Sequence, residues 1–302
     1  MSHGPQFEIE KNFHDPALTT VLQSWTFDPW IVIPLLLIAC IYLRGWRELH
    51  RRLPRRFALW RLIAFQAGLL TIFLAVASPL HEFSELLLQF HMIQHLLLMM
   101  VVPPLLLLGA PILPLLRGLP RSVLERGLGL LFASRPLQRL GQFLTHPIVC
   151  LVAFTVSSVA WHLPVLYELA LRSEFWHNVQ HVSFLSTGLL FWWPVVQPWP
   201  SRLRWPRWTI IPYLLFADLQ NTALSAFLIF SERSLYPSYA ALPRLWGISV
   251  LDDQAAAGAI MWVPGSLIFL IPVAVLAIRL LDPPPTRPVT TKKICYGATV
   301  VD

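Results

Sequence analysis

Two pairs of histidines stand four residues apart in this chain, His91 with His95 and His177 with His181. On an α-helix, residues i and i+4 share one face, so each pair would hold two imidazoles side by side. Such pairs are a chelating geometry for zinc, copper or iron. Both lie in strongly apolar segments, where ionisable side chains are costly to bury, so we treat them as candidates for a metal site.

The composition places these histidines in a membrane protein. Of the 302 residues, 56% are hydrophobic and only 13% are charged, whereas about 25% are charged in an ordinary soluble domain. Seven apolar runs approach the length that crosses about 30 Å of hydrocarbon. They are Pro29–Leu43, Phe57–Ser78, Leu86–Ala110, Pro147–Tyr167, His177–Trp199, Trp208–Phe230 and Ala255–Leu281. We expect Pro103-Pro104 to kink or end the third run. The predicted fold is an all-α, polytopic membrane bundle of seven transmembrane helices.

The basic residues predict which way the spans run. Alternate loops hold 18 of the lysines and arginines, and the opposite loops hold four. Because basic loops stay in the cytoplasm, the N-terminus is predicted outside and the C-terminus in the cytoplasm. The net charge of +7 therefore reflects topology and the lipid bilayer around the spans, and we expect no nucleic-acid partner.

The predicted spans divide the chain into three parts. Residues 1–28 form an extracytoplasmic segment without the features of a cleaved signal peptide, residues 29–281 form the transmembrane domain, and residues 282–302 form a cytoplasmic tail. Ser122–Phe132 is predicted to be an amphipathic helix on the membrane surface. The three cysteines face a reducing compartment, so no disulfide is expected among them.

This orientation brings the polar residues of several spans to one depth near the outer surface. His162 lies close to the outer end of the fourth span, and Asp253 lies just before the seventh. We therefore predict a metal site formed by His91, His95, His162, His177, His181 and Asp253. Accessory candidates are His81, Met92, Met99, Asp252 and Asp218.

The donor types favour cuprous copper. Met92 and Met99 add thioethers, which are soft ligands, close to His95, while Met100 is expected to point elsewhere on the helix. Filling of the core is the more common role of methionine, and the same imidazoles also suit zinc, iron or haem. Asp218 in the sixth span is compatible both with bonding between helices and with a proton or ion relay.

Several motifs resemble the CtaG family of cytochrome c oxidase assembly factors, described for caa3-type oxidases. They are His91-Met-x-Gln-His95, Pro103-Pro104-x-x-x-x-Gly109-x-Pro111, His146-Pro147, Trp161-His162-x-Pro164-x-x-Tyr167, His177-x-x-x-His181 and Asp253-Gln254-x-x-x-Gly258. The resemblance covers about residues 25–280. It implies a multi-pass protein of the bacterial cytoplasmic (inner) membrane that helps to mature a haem-copper oxidase. Asp252 departs from the pattern by making an acidic pair with Asp253, and the sequence leaves open which of the two carboxylates faces the site.

The expected function is the handling of copper without catalysis. A periplasmic copper carrier would load the histidine site, and the ion would then pass by ligand exchange to a haem-copper oxidase subunit. No catalytic residue is expected. The alternatives are a membrane di-metal oxidase or hydroxylase, a bis-histidine haem protein and, more remotely, a transporter built around Asp218.

Overall fold

The computed structural model describes residues 23–124, 134–201 and 205–281, and all regular elements in these ranges are helical. In chain order the α-helices are α1 (Pro29–Arg52), α2 (Leu59–Ala77), α3 (Pro79–Leu86), α4 (Leu88–Leu96), α5 (Val102–Leu108), α6 (Ile112–Gly118), α7 (Arg121–Val123), α8 (Arg135–Leu144), α9 (Pro147–His162), α10 (Pro164–Arg172), α11 (Glu174–Val196), α12 (Ile210–Ile229), α13 (Pro237–Ala240) and α14 (Val250–Leu281). A π-helical turn, Leu97–Val101, joins α4 to α5, and 3₁₀ turns occur at Arg207–Thr209 and Leu245–Gly247. The all-α prediction is confirmed.

Four helical segments are long and apolar enough to cross a membrane. They are Pro29–Arg52, Leu59–Ala77, Leu88–Leu108 and Val250–Leu281; a fifth results if α8 and α9, bent by 63°, count as one span. Large apolar side chains cover their outer faces, as at Leu36, Ile63 and Ile271. Such a surface suits lipid and not water. The chain is therefore a membrane protein, while seven spans and the orientation of the termini stay predictions.

Each of the seven predicted runs contains a helix, but three of those helices are too short or too polar to count as membrane spans by themselves. Helix α9 has only 16 residues because Pro164 starts a new helix directly after Leu163. Helices α11 and α12 are 23 and 20 residues long, but they carry the polar residues His177, His181 and Asp218. These side chains lower the hydropathy of the very segments that bear the candidate site.

The third run differs from its prediction in an informative way. The chain stays helical through Pro103-Pro104, and the turn just before them is a π-helix. Because the prolines have no N–H, the carbonyls of Met99 and Met100 lack their usual intrahelical donors. The indole N–H of Trp192 on α11 donates to the Met99 carbonyl at 3.2 Å. Helix α11 therefore supplies a donor for one of the carbonyls that the proline pair leaves without an intrahelical hydrogen bond.

The helices pack around three apolar clusters. The first joins α9, α11, α12 and α14 to the π-helical turn, with Phe154, Phe184 and Phe191 at its centre. The second joins α1, α2 and α5 around Tyr42. The third joins α4, α12 and α14 to the connection between α12 and α14. The first and third clusters meet along α4, because Met92 belongs to the third and Leu96 packs against the first. The polar residues described below lie beside this junction.

Two further predictions fall partly outside the described residues. The structure does not describe residues 1–22, 125–133 and 282–302. Most of the predicted helix Ser122–Phe132, most of the predicted N-terminal segment, the predicted tail and Cys295 therefore lie outside the described residues. The amphipathic helix that the structure does describe is α8, where Leu140, Phe143 and Leu144 are exposed beside Arg139. Helix α8 begins 13 residues after the first residue of the predicted helix, and the prediction for Ser122–Phe132 itself stays a prediction.

Candidate metal site

Three imidazoles from two helices come together at the end of the bundle where α4 and α11 begin. One nitrogen each of His91, His95 and His181 lie within 4.8 Å of one another. The ring centroids of His91 and His95 are 4.2 Å apart, and those of His95 and His181 are 5.7 Å apart. The predicted i, i+4 pair of His91 and His95 is therefore present in α4, and His181 of α11 lies beside it. We call these three residues the histidine triad.

Two more histidines connect the triad to the protein surface. The ring of His177 stacks on His91 with centroids 5.2 Å apart and lies 4.3 Å from His181. His81, from α3, stacks on His177 at 5.7 Å, and 28% of its side chain is exposed. A continuous series of imidazoles thus leads from the surface to the triad, in which His91 and His95 are buried and His181 is half-buried.

Six imidazole nitrogens of these histidines have no hydrogen-bond partner among the described residues. No donor or acceptor within the described residues reaches Nε2 of His91, His162, His177 or His181, and neither ring nitrogen of His95 has a partner. Buried polar atoms in proteins are nearly always satisfied, so such a concentration requires an explanation. A bound cation would satisfy several of these lone pairs at once.

Neighbouring groups set the tautomers of two histidines. The Nδ1–H of His162 donates to the Ser158 carbonyl at 2.7 Å, because a carbonyl can only accept. The Tyr239 hydroxyl lies 2.7 Å from the Ser84 carbonyl and 3.0 Å from Nδ1 of His91. Both contacts are satisfied when Tyr239 donates to Ser84 and accepts from His91. In each histidine Nε2 then carries a free lone pair, as a metal ligand requires.

The connection between α12 and α14 covers the triad. Tyr236 stacks on Tyr167 with centroids 4.0 Å apart, and its hydroxyl donates to the His162 carbonyl at 3.0 Å. Burial raises the pKa of the Tyr236 and Tyr239 phenols above its ordinary value, so both remain protonated at neutral pH. Tyr239 thus contacts an imidazole of the triad, whereas Tyr236 contacts the backbone of His162.

Polar side chains from the helices hold this covering segment in place. The Glu168 carboxylate on α10 accepts from the Ser238 N–H at 2.9 Å, at the start of α13. The amide of Gln254 on α14 accepts from the Leu235 N–H at 2.8 Å and donates to the Leu228 carbonyl at 3.1 Å. Hydrogen bonds from both α10 and α14 therefore hold the covering segment in place.

The two neighbouring aspartates have different surroundings. Asp253 is 1% exposed, and its carboxylate accepts from the N–H groups of Leu88 at 2.8 Å and Gln89 at 3.0 Å. It thereby caps the start of α4, where the orphan N–H groups of a helix favour an anion. Asp252 is exposed and binds Ser249. Asp253 faces inward, and its observed contacts position the helix that carries His91 and His95.

A small cavity adjoins the triad at His95. It has a volume of about 30 Å³, and Met92, Met99, Met100, His95 and His162 are among its lining residues. The expectation that Met100 points elsewhere on the helix is wrong. The π-helical turn alters the angular spacing of the residues that follow His95, and this brings Met100 to the cavity.

Asp218 does not join this group. It is half-buried, and its Oδ1 has no partner within the described residues. Bonding between helices at this level comes from its neighbours instead. Asn221 donates to the Met261 carbonyl at 2.9 Å, and Gln220 donates to the Ser158 hydroxyl at 3.2 Å.

Comparison with known proteins identifies the family. The model of the cytochrome c oxidase caa3 assembly factors (Caa3_CtaG) matches residues 40–282, which is most of the chain and includes every residue of the triad and its cover. The chain belongs to the caa3 assembly factor family. This confirms the resemblance inferred from the histidine and proline motifs.

Similar proteins occur in mycobacteria. Uncharacterized proteins of Mycobacterium bovis and Mycobacterium tuberculosis are each 29% identical over 253 residues, which is 82% of this chain and 38% of theirs. One of Mycobacterium leprae is 26% identical over 282 residues, or 87% of this chain and 40% of its own. The chain thus spans about two-fifths of the length of these relatives. No solved structure matches it.

Sequence reasoning missed the tyrosines and the fourth methionine of the assembly factor's site. Tyr236 and Tyr239 are three residues apart and could share a helix face, which was the one available signal. Met261 lines the cavity from α14, although it lies 161 positions after Met100. Only the packing of α14 on α4 shows that the two are neighbours.

Proposed function

We propose that this caa3 assembly factor receives a cuprous ion at the histidine triad and delivers it to a haem-copper oxidase subunit. The proposal extends the family assignment, which concerns assembly of the oxidase, by naming the cargo and the residues that hold it. Copper is the substrate of this process. The chain's own groups bind the ion, exclude water from it and release it by ligand exchange.

The set of unpartnered imidazole nitrogens carries the proposal. Three of them are close enough to ligate one ion, and the Tyr239 contact presents Nε2 of His91 in its proton-free form. Imidazole is a suitable ligand for copper, zinc and iron. Copper is favoured among these because the thioethers of the methionines adjoin the triad and an oxidase of this class requires copper.

The close packing of the rings favours an ion over a haem. The triad rings contact one another, and the adjacent cavity of about 30 Å³ has room for a group about the size of a water molecule. A porphyrin between two of these imidazoles would require the helices to separate. A di-metal site would need more ligands than the three that the triad brings together, and the carboxylate of the neighbouring buried Asp253 is engaged by two backbone N–H groups.

The proposal includes the seven-span topology with the triad near the outer surface of the cytoplasmic membrane. A periplasmic copper carrier would then reach the site through His81 and His177. Single cysteines in a background without the native ones test this: Glu232→Cys should react with an impermeant maleimide added outside intact cells, and Arg139→Cys should react only after permeabilisation. The opposite pattern would contradict the orientation.

Oxidase maturation in cells tests the function. In a bacterium that makes a caa3-type oxidase and lacks this protein, we expect the wild type to restore the normal ratio of copper to haem in the purified oxidase. The variant His91→Ala/His95→Ala/His181→Ala should fail to restore it, and copper added to the medium should partly compensate. Full restoration by this variant would contradict a role of the triad in copper delivery.

His146→Ala is the matched control for these substitutions. His146 precedes α9, about 24 Å along the helix from His162, and its ring contacts Trp205. It is a histidine of the same protein that lies far from the triad. We therefore expect this variant to support the oxidase as well as the wild type does.

A further inference from the structure

All four methionines that follow residue 1 line the cavity beside the triad. The chain has five methionines in total, and Met92, Met99, Met100 and Met261 all line this one space of about 30 Å³. Methionine commonly fills gaps in apolar cores. That role alone gives no reason why every internal methionine of the chain should meet at one small cavity.

The methionines come from different parts of the packing. Met99 and Met100 belong to the cluster around Phe184 and Phe191, while Met92 and Met261 belong to the cluster around Tyr167 and Tyr239. The cavity therefore lies at the junction of two apolar clusters. Three chain segments, namely α4, the π-helical turn and α14, each contribute at least one methionine to its lining.

Nitrogen ligands without partners complete the cavity. His95 and His162 line it, and Nε2 of His162 and both ring nitrogens of His95 are buried without a hydrogen bond among the described residues. The Nδ1–H of His162 is held by the Ser158 carbonyl at 2.7 Å, which leaves its Nε2 as a proton-free ligand. Thioether sulfur together with neutral imidazole is a donor set that selects Cu(I) over Zn²⁺.

Two features of α4 and α5 make this arrangement possible. The π-helical turn brings both Met99 and Met100 to the cavity, and Pro103-Pro104 have no N–H to donate to the carbonyls of this turn. Local π-helical turns are frequent at functional sites. Gly188 on α11 packs directly against this turn, where an added Cβ would lie 2.9 Å from the Met99 carbonyl oxygen.

We propose that the methionine-lined cavity is a second, sulfur-rich site for Cu(I), adjacent to the triad and sharing His95 with it. The inference rests on the proposed function, since it concerns the same cargo. An ion held by the triad would reach this second site by exchanging His91 and His181 for thioethers while His95 stays bound. No electron is transferred, and the ion remains cuprous throughout.

Variants that separate the two sites test the inference. The double variant His91→Ala/His181→Ala removes two triad ligands and leaves the cavity intact, and Met99→Leu/Met100→Leu/Met261→Leu removes three thioethers at nearly constant volume. Each purified full-length protein is loaded anaerobically with cuprous ion and, separately, with Zn²⁺. Metal stoichiometry and the copper X-ray absorption spectrum are recorded, with thermal unfolding as a check on folding.

We expect the double variant to retain one Cu(I) with sulfur in its coordination shell and to bind no Zn²⁺. The methionine variant should keep copper bound by nitrogen alone, and combining both sets of substitutions should abolish binding. If the wild type binds copper but the double variant binds none, or binds it without sulfur, the second site is refuted and the triad stands. If the wild type itself binds no copper, the proposed function fails and this inference with it.

Discussion

Replacement of Tyr239 by phenylalanine is the sharpest perturbation of the triad that leaves all of its ligands in place. The hydroxyl lies 3.0 Å from Nδ1 of His91 and 2.7 Å from the Ser84 carbonyl oxygen. Tyr239→Phe keeps the buried ring but removes the acceptor that fixes the His91 tautomer. Nδ1 and Nε2 can then both compete for the single proton of the imidazole.

The magnitude follows from the energetics of such supporting contacts. Loss of a hydrogen bond to a ligating histidine typically lowers metal affinity about 10- to 100-fold, which corresponds to about 1.4–2.8 kcal/mol of binding free energy. The two buried partners left without the hydroxyl also lower the free energy of unfolding by about 1–3 kcal/mol. Affinity and stability should therefore both fall in Tyr239→Phe.

Tyr236→Phe is the matched control, because it removes an equally buried hydroxyl that bonds to the backbone carbonyl of His162 and not to an imidazole nitrogen. It should lose similar stability but keep its copper affinity within about threefold, which is well under 1 kcal/mol. The assay is anaerobic competition with a chromogenic chelator of cuprous ion. Equal affinities for the two variants, or wild-type affinity for Tyr239→Phe, would refute the assignment of Tyr239 as a positioning residue for His91.

Two substitutions test how the framework of the site is held. Asp253→Ala removes the cap of α4 and should lower the free energy of unfolding by about 1–2 kcal/mol. Asp252→Ala, at an exposed position, should change it by less than about 0.5 kcal/mol. Equal losses of stability in the two variants, measured by thermal unfolding in detergent, would contradict the capping role. Gly188→Ala places a Cβ 2.9 Å from Met99 O and should cost about 1–3 kcal/mol, while Gly141→Ala, with open space around it, should be neutral or stabilising. If both glycine variants were as stable as the wild type, the close approach of α11 to the π-helical turn would be disproved.

The parts of the site that depend on local periodicity could be predicted from the sequence. The pairing of His91 with His95 requires only that the segment is helical, and the contact of both with α11 follows from two spans that begin on the same side. The family could be inferred from the same motifs. Apolar length located helices within all seven runs, although His177 and His181 lower the hydropathy of α11 and Asp218 lowers that of α12.

The parts that depend on contacts between distant segments could not be predicted. Asp253 caps a helix whose first residue lies 165 positions earlier in the chain, so nothing near Asp253 in the sequence indicates its partner. The covering segment takes its path from Glu168 and Gln254, which hold it at both sides. The π-helical turn moves Met100 by a local change in helix geometry that the i, i+4 rule does not anticipate.

Anaerobic titration of the purified full-length protein with cuprous ion tests the central claim most directly. The wild type and His146→Ala should bind copper tightly, with imidazole nitrogen in the X-ray absorption spectrum. The variant His91→Ala/His95→Ala/His181→Ala, which lacks the whole triad including the histidine shared with the cavity, should lose this binding. The account is contradicted if the triad variant binds as much copper as the wild type, with the same nitrogen coordination.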